Sequence, residues 1–209
     1  MAAISEVGIC NQALYNLGID TPIVALTDDS ANARACNRVY ARLRDELLRE
    51  LPWNFAINRA TLTALADKPG YEYINAFVLP TDPFCLRVLE LREERDPALG
   101  SCPYQIESIV DSSGNSFRAL VTDAATALIR YVKRVTDPTQ FDTLFSQALV
   151  DLLTYRLSIP VTQSRTMAAD WFSIYVDTLE KAKEINAVEG FDPLYRKMDD
   201  IGSWDSARG

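Results

Sequence analysis

Apolar residues recur at three-and-four spacing towards both ends of this chain, and between those ends the pattern breaks into short runs rich in β-branched and aromatic residues. That order, helical, then strand-like, then helical again, limits the folds available. Ser5 is placed to cap a first helix, with Ile4 and Ile9 as a hydrophobic staple around it. Cys10, Ala13, Leu14 and Leu17 form its apolar stripe, and Gly18 is a natural stop. After the link IDTPIVALTDDS, a second helix is predicted from about Ser30 to Leu51. Its apolar face runs through Ala33, Cys36, Val39 or Tyr40, Leu43, Leu47 and Leu51 until Pro52 ends it. The two read as an antiparallel helical hairpin.

From Trp53 to Thr136 the punctuation by Pro, Gly, Asp and Asn favours strands joined by turns. The clearest strand is TALIRYVKRV (126–135), with Ala127, Ile129, Tyr131, Lys133 and Val135 on one side. Residues 73–80, 84–91, 104–110 and 116–121 are further strand candidates, the last two flanking the turn DSSGN. A small antiparallel sheet is the expectation, with Trp53 and Phe55 of the WNFA segment plugging its junction with the helices.

Helical spacing returns after Asp137-Pro138, through Phe141, Leu144, Phe145, Ala148, Leu152 and Leu153 up to Pro160. Ser164 then caps a fourth helix carrying Met167, Trp171, Ile174, Tyr175, Leu179, Ala182 and Ile185. The first two helices are too small to bury their faces alone. The economical solution is an α+β chain in which both ends, 1–56 and 137–189, form one antiparallel helical bundle. Residues 57–136 are then an inserted β domain, and 190–209 an extended C-terminal arm. The arm has no period but holds Phe191, Leu194, Tyr195, Met198 and Trp204 as candidate anchors, packed either on its own domain or on a neighbouring subunit.

A formal charge of −8 argues against general adhesion to nucleic acid or anionic lipid, which demand a basic surface. No run of apolar residues approaches a membrane span, and the first residues lack the basic start and apolar run of a signal peptide, so a protein made or assembled in the cytoplasm is expected. The four cysteines, Cys10, Cys36, Cys85 and Cys102, are far apart, with no CxxC pair. They read as buried free thiols.

The sequence has no histidine, so the usual general base near neutral pH and every Ser-His or Cys-His nucleophile pair are missing. No glycine-rich phosphate loop and no calcium loop occur either. No catalytic residue, cofactor or metal is assigned. The acid pairs Asp28-Asp29, Glu93-Glu94 and Asp199-Asp200 read as a helix start and two solvated turns.

The second helix carries Arg34, Arg38 and Arg42 at every fourth position beside its apolar face, with Arg44 and Arg49 near. One reading is a solvated face paired partly with Asp45, Glu46 and Glu50. The other is a subunit interface or channel wall, where arginines repeated around a ring meet a neighbour's acids or passing nucleic acid.

The stretches NQALYNLGI (11–19), DDSANARACNRVYARLRDELLRELPWNFAINRA (28–60), GYEYINAFVLPTDPFCLRVLEL (70–91) and FDTLFSQALVDLLTYRLSIPVTQS (141–164) together resemble the tail tubular protein A family of podovirus-like phages. The passage from the second helix into PWNFA, followed by the "LP.D...RVL" segment, is the most specific part. The resemblance implies a non-enzymatic virion protein, a head-to-tail adaptor with a β domain inserted in a helical bundle. It also implies a ring, dodecameric in related phages, between portal and tail nozzle, with genomic DNA passing through the lumen. Competing readings are another connector or head-completion protein and a carboxylate-dependent polysaccharide hydrolase of the tail, which would need two acids converging in a cleft.

Overall fold

In the computed structural model, which describes residues 5–94, 100–110 and 113–189, the chain is mixed α+β, with four α-helices and two antiparallel sheets among the described residues. The first helix, α1 (Glu6–Asn16), starts where Ser5 accepts a hydrogen bond from the Gly8 amide at 3.0 Å. It ends in a two-bond cap: the Gly18 amide donates to the Tyr15 carbonyl at 2.9 Å and the Ile19 amide to the Leu14 carbonyl at 3.0 Å. This geometry needs a left-handed residue, and Gly18 supplies it at φ +80°. A Cβ on Gly18 would touch nothing within 4 Å, so the cost of Gly18→Ala is backbone strain alone. We expect a loss of about 1 kcal/mol in urea unfolding; an unchanged midpoint would show that the cap bonds do not hold the helix end.

The second helix, α2 (Ala31–Glu50), is capped by Ser30, which accepts from the Ala33 amide at 3.1 Å, and it stops one residue before Pro52. Its buried face is Ala33, Cys36, Tyr40, Leu43, Leu47 and Leu48, together with Arg44. The third helix, α3 (Thr143–Thr162), begins where Asp142 caps Leu144 and Phe145. The fourth, α4 (Arg165–Glu189), begins where Ser164 accepts from the Met167 amide at 3.2 Å.

Four expectations about these helices need correction. The first two do not form a closely packed pair, because each packs mainly against α3 and little against the other. In place of a single apolar stripe, α3 buries a nearly continuous surface, Phe145 and Ala148 to Thr154, then Leu157 and Ser158. A helix surrounded by neighbours has no polar side to give it a period. Nor does Pro160 end α3, which continues to Thr162 and closes through Gln163 at φ 57°. Proline is tolerated there because Pro160 and Arg156, the residue whose carbonyl loses a partner, both lie on the exposed side, where water can replace the bond. Finally, the apolar face of α4 is narrower than its spacing suggests: Ala168, Tyr175 and Ala182 are buried, whereas Ile174 and Ile185 are exposed.

Seven strands follow in chain order: β1 (Ile57–Thr61), β2 (Thr63–Ala64), β3 (Asn75–Val78), β4 (Cys85–Arg92), β5 (Gln105–Val110), β6 (Ser116–Thr122) and β7 (Leu128–Lys133). Five lie within one residue or so of the predicted runs or inside them. The first two were not singled out, since the half-exposed edge strand INRAT has no clean alternation. In place of one sheet there are two, ordered β1-β7-β4 and β2-β3-β6-β5, with every pair antiparallel.

Strand β7 shows why a three-stranded sheet forms in the middle. Its Val132, with Leu86 of β4 and Val135, joins the core cluster that draws on all four helices. Its Ile129 and Tyr131 point the other way, into a second cluster with Phe77, Leu79, Leu91 and Leu120. The period of two therefore places one face of this sheet on the helices and the other on the four-stranded sheet. Lys133, predicted on the same side as Ile129, is half-buried at the end of the strand.

At the junction Trp53 is buried and stands edge-on to Phe145, ring centres 5.1 Å apart at 86°. Phe55 packs on the same Phe145 ring at 5.1 Å, and Phe141 completes the cluster at 4.8 Å from Phe145. The Trp53 indole N–H donates to the Leu47 carbonyl at 2.9 Å, so the same side chain closes the last turn of α2.

Candidate functional site

Burial and contacts sort the five arginines of α2 into two groups. Ala33, Cys36, Tyr40, Leu43 and Leu47 turn one side of the helix inward, so Arg34, Arg38 and Arg42, four residues apart, emerge in one row on the exposed side. Arg34 is ion-paired with Asp29. Arg42 reaches Glu46 one turn on at 3.3 Å, and the other Glu46 oxygen takes Arg156 of α3 at 3.1 Å. Arg38 has no hydrogen-bond or ion-pair partner among the described residues. Exposed pairs of this kind contribute only about 0–1 kcal/mol each, so the row's charge stays available to a partner.

Arg44 and Arg49 do different work. Arg44 is buried, and its Nε and Nη2 both donate to one Asp45 oxygen, at 3.0 and 2.8 Å. The other Asp45 oxygen is approached by Arg134 Nε at 2.7 Å, off the hydrogen-bond direction, so that contact is an ion pair. The Arg134 guanidinium lies 4.4 Å above the Phe84 ring. Arg49 donates to the Leu86 carbonyl at 3.3 Å, and Arg87 of β4 donates back to the Arg49 and Glu50 carbonyls at 3.1 and 3.3 Å. A guanidinium on the last carbonyls of α2 favours the negative end of its dipole and locks helix to sheet. These contacts make the outward row part of a rigid element.

Several positioning residues carry no sequence signal of their role. Asn186, near the end of α4, donates to the Pro52 carbonyl at 3.0 Å and accepts from the Asn54 amide at 2.9 Å, while the Asn54 side chain donates to the Asn186 carbonyl at 3.0 Å. This clamp holds the end of α4 at the α2 junction, beside a shallow cleft between Phe55, Leu144 and Ile185. Tyr175 donates to Glu50 at 2.7 Å, and burial, with Glu50 beside it, pushes the phenol's pKa up. The candidate arm anchors Phe191, Leu194, Tyr195, Met198 and Trp204 lie outside the described residues, as do Ile4 and Asp199-Asp200.

Two acids of the adjacent pairs accept from backbone amides. Asp28 accepts from the Val24 and Ala25 amides at 2.8 Å each, and Glu93 accepts from the Ala125 amide at 2.7 Å. Among the described residues no group of three or more Cys, Asp, Glu or His could hold a metal ion. Nor is any helix there long and apolar enough to cross a membrane.

One buried acid is perturbed. Asp151 of α3 is 1% exposed and accepts from Thr178 of α4 at 2.8 Å and Gln147 at 2.9 Å, with no cation among its partners. Burial raises its pKa against the pull of those two bonds. In the unfolded chain it ionises near 3.8. The folded protein holds that proton to higher pH, so the contribution is fullest below the unfolded value and is lost as pH rises through the folded one. Asp151→Asn should therefore gain stability relative to the parent as pH is raised from acid to neutral in urea titrations. Parallel pH profiles for the two proteins would contradict this.

No family model matches the chain, and no curated protein matches it.

Proposed function

We propose that this chain is a structural virion protein, a ring-forming head-to-tail adaptor of the tail tubular protein A type that joins portal to tail nozzle. The observation that carries the reading is the ordered resemblance of residues 11–19, 28–60, 70–91 and 141–164 to that family. In this reading 1–56 and 137–189 make the helical bundle, 57–136 is the inserted β domain and 190–209 the C-terminal arm. The copies line a passage through which genomic DNA moves without sequence recognition, in the tail of the particle.

The geometry of α2 supports this account. An acidic chain places Arg34, Arg38 and Arg42 in one exposed row on a helix tied down at its far end by Trp53 and Arg87. A closed ring needs two different faces of each subunit to meet. Separately, α4 exposes Phe172, Ile174, Val176, Ile185 and Val188, apolar side chains of the kind a neighbouring subunit covers.

Reversing the row (Arg34→Glu, Arg38→Glu, Arg42→Glu) tests the proposal without touching the core. The expected result is a folded protein, with unchanged circular dichroism, that assembles on portal at least tenfold more weakly or no longer passes DNA. Normal assembly together with normal DNA passage would remove the arginine row from the account.

A further inference from the structure

Two of the four cysteines face each other across the α1–α2 seam. Cys10 lies on the buried stripe of α1 and Cys36 on that of α2, both with 0% exposure and both in the core cluster that the helices share. They are 26 residues apart in the chain, both are free thiols, and each thiol is a close neighbour of the other. One helical turn past Cys36, the Tyr40 hydroxyl is buried without a hydrogen-bond partner among the described residues. The seam is thus a small polar spot in an apolar core. It is also where the helices meet least, since α1 and α2 each pack mainly on α3.

We propose that Cys10 and Cys36 are a dithiol that closes into an intramolecular disulfide, tethering the first helix to the second. The oxidant is a low-molecular-weight disulfide. Local opening of α1, a short helix that packs mainly on α3, exposes both sulfurs at once. One cysteine, as its thiolate, attacks the small disulfide, forming a mixed disulfide and releasing one small thiol. The other, on losing its proton, attacks the protein-side sulfur of that bond and releases a second small thiol. Two protein thiols are oxidised and one small disulfide is reduced to two thiols.

The bond suits the site because it replaces two thiols by an apolar link and leaves no new polar group in the core. It also closes a loop that includes the whole α1–α2 connection, and such loops restrict the unfolded chain. The contrast is with Cys85 and Cys102, which lie by the second cluster, where Cys85 is buried and Cys102 half-buried.

The test uses the full-length chain, purified reduced and then held with excess oxidised glutathione. Titratable thiols in the denatured product should fall from four to two, and the mass should drop by two hydrogens. Peptide mapping without reductant should join the peptides bearing Cys10 and Cys36. The melting temperature should rise by roughly 5–10 °C over the reduced form. Cys36→Ser should abolish both the link and the rise, and Cys85→Ser should leave them unchanged. A map that joins Cys85 to Cys102 instead, a product carrying only glutathione adducts, or four thiols still free after long exposure would each overturn the proposal. The map of the parent protein decides the matter even if Cys36→Ser does not fold.

Discussion

Replacing Trp53 by alanine should destabilise the protein by about 3–5 kcal/mol, the largest loss we expect from a single side chain. Trp53 is 1% exposed, packs edge-on to Phe145 and closes the last turn of α2 through the Leu47 carbonyl. Truncation would therefore open a cavity where α2, α3 and the start of β1 converge and would also free a buried carbonyl. Trp53→Phe separates the two effects: most of the ring contact survives, and the missing indole donor should cost about 1–2 kcal/mol. Urea unfolding followed by far-UV circular dichroism reads both. A loss below about 1 kcal/mol for the alanine variant would mean that this junction does not anchor the helices to the sheets.

The second large effect lies one element away. Asp45 stands between Arg44, whose side chain is 8% exposed, and Arg134 at 37%. Asp45→Ala leaves the Arg44 guanidinium buried without its carboxylate, and we expect a loss of about 2–4 kcal/mol. The attraction itself is worth less than that, because desolvating the charges opposes it. Replacing both partners, Arg44→Met with Asp45→Ala, should therefore recover at least half of the loss. A double variant no more stable than Asp45→Ala would show that the pair, rather than the orphaned charge, sets the stability.

These two sites differ in how far the sequence discloses them. Trp53 follows a proline at the end of a strongly periodic helix, so its place at a junction can be read from WNFA directly. Arg44 cannot be read that way. It stands next to Leu43 on α2, and its burial against Asp45, which Arg134 also reaches from beyond β7, depends on tertiary packing. The ends of α1 and α2 are legible for local reasons, since Ser5, Gly18, Ser30 and Pro52 each act on the backbone within a few residues. The course of α3 is less legible, because the unbroken buried run from Ala148 to Thr154 hides its period and a proline at an exposed position near its end does not stop it. Strands β1 and β2 owe their existence to pairing partners distant in the chain, β7 and β3. The separation into two sheets is likewise a matter of which strands meet, which no single segment encodes.

The candidate site divides in the same way. A four-residue repeat of arginines on an amphipathic helix is visible in sequence, and the structure places Arg34, Arg38 and Arg42 on the exposed side. The difference between that row and the buried Arg44, or Arg49 with its bond to the Leu86 carbonyl, depends on tertiary contacts. The clamp of Asn186 on Pro52 and Asn54 depends on them too, as does the meeting of Cys10 with Cys36. Ile174 and Ile185 follow the spacing of α4 yet stay exposed, because period alone does not reveal how much of a helix its neighbours cover.

The central claim is that the chain functions as a ring between portal and nozzle. Light scattering of the purified protein, followed by electron microscopy of its mixture with the portal protein of the same particle, measures this most directly. The account predicts closed rings, dodecameric if the adaptor resemblance holds, either in free solution or formed on the portal with their axes coincident. A protein that stays strictly monomeric and never binds portal would contradict it.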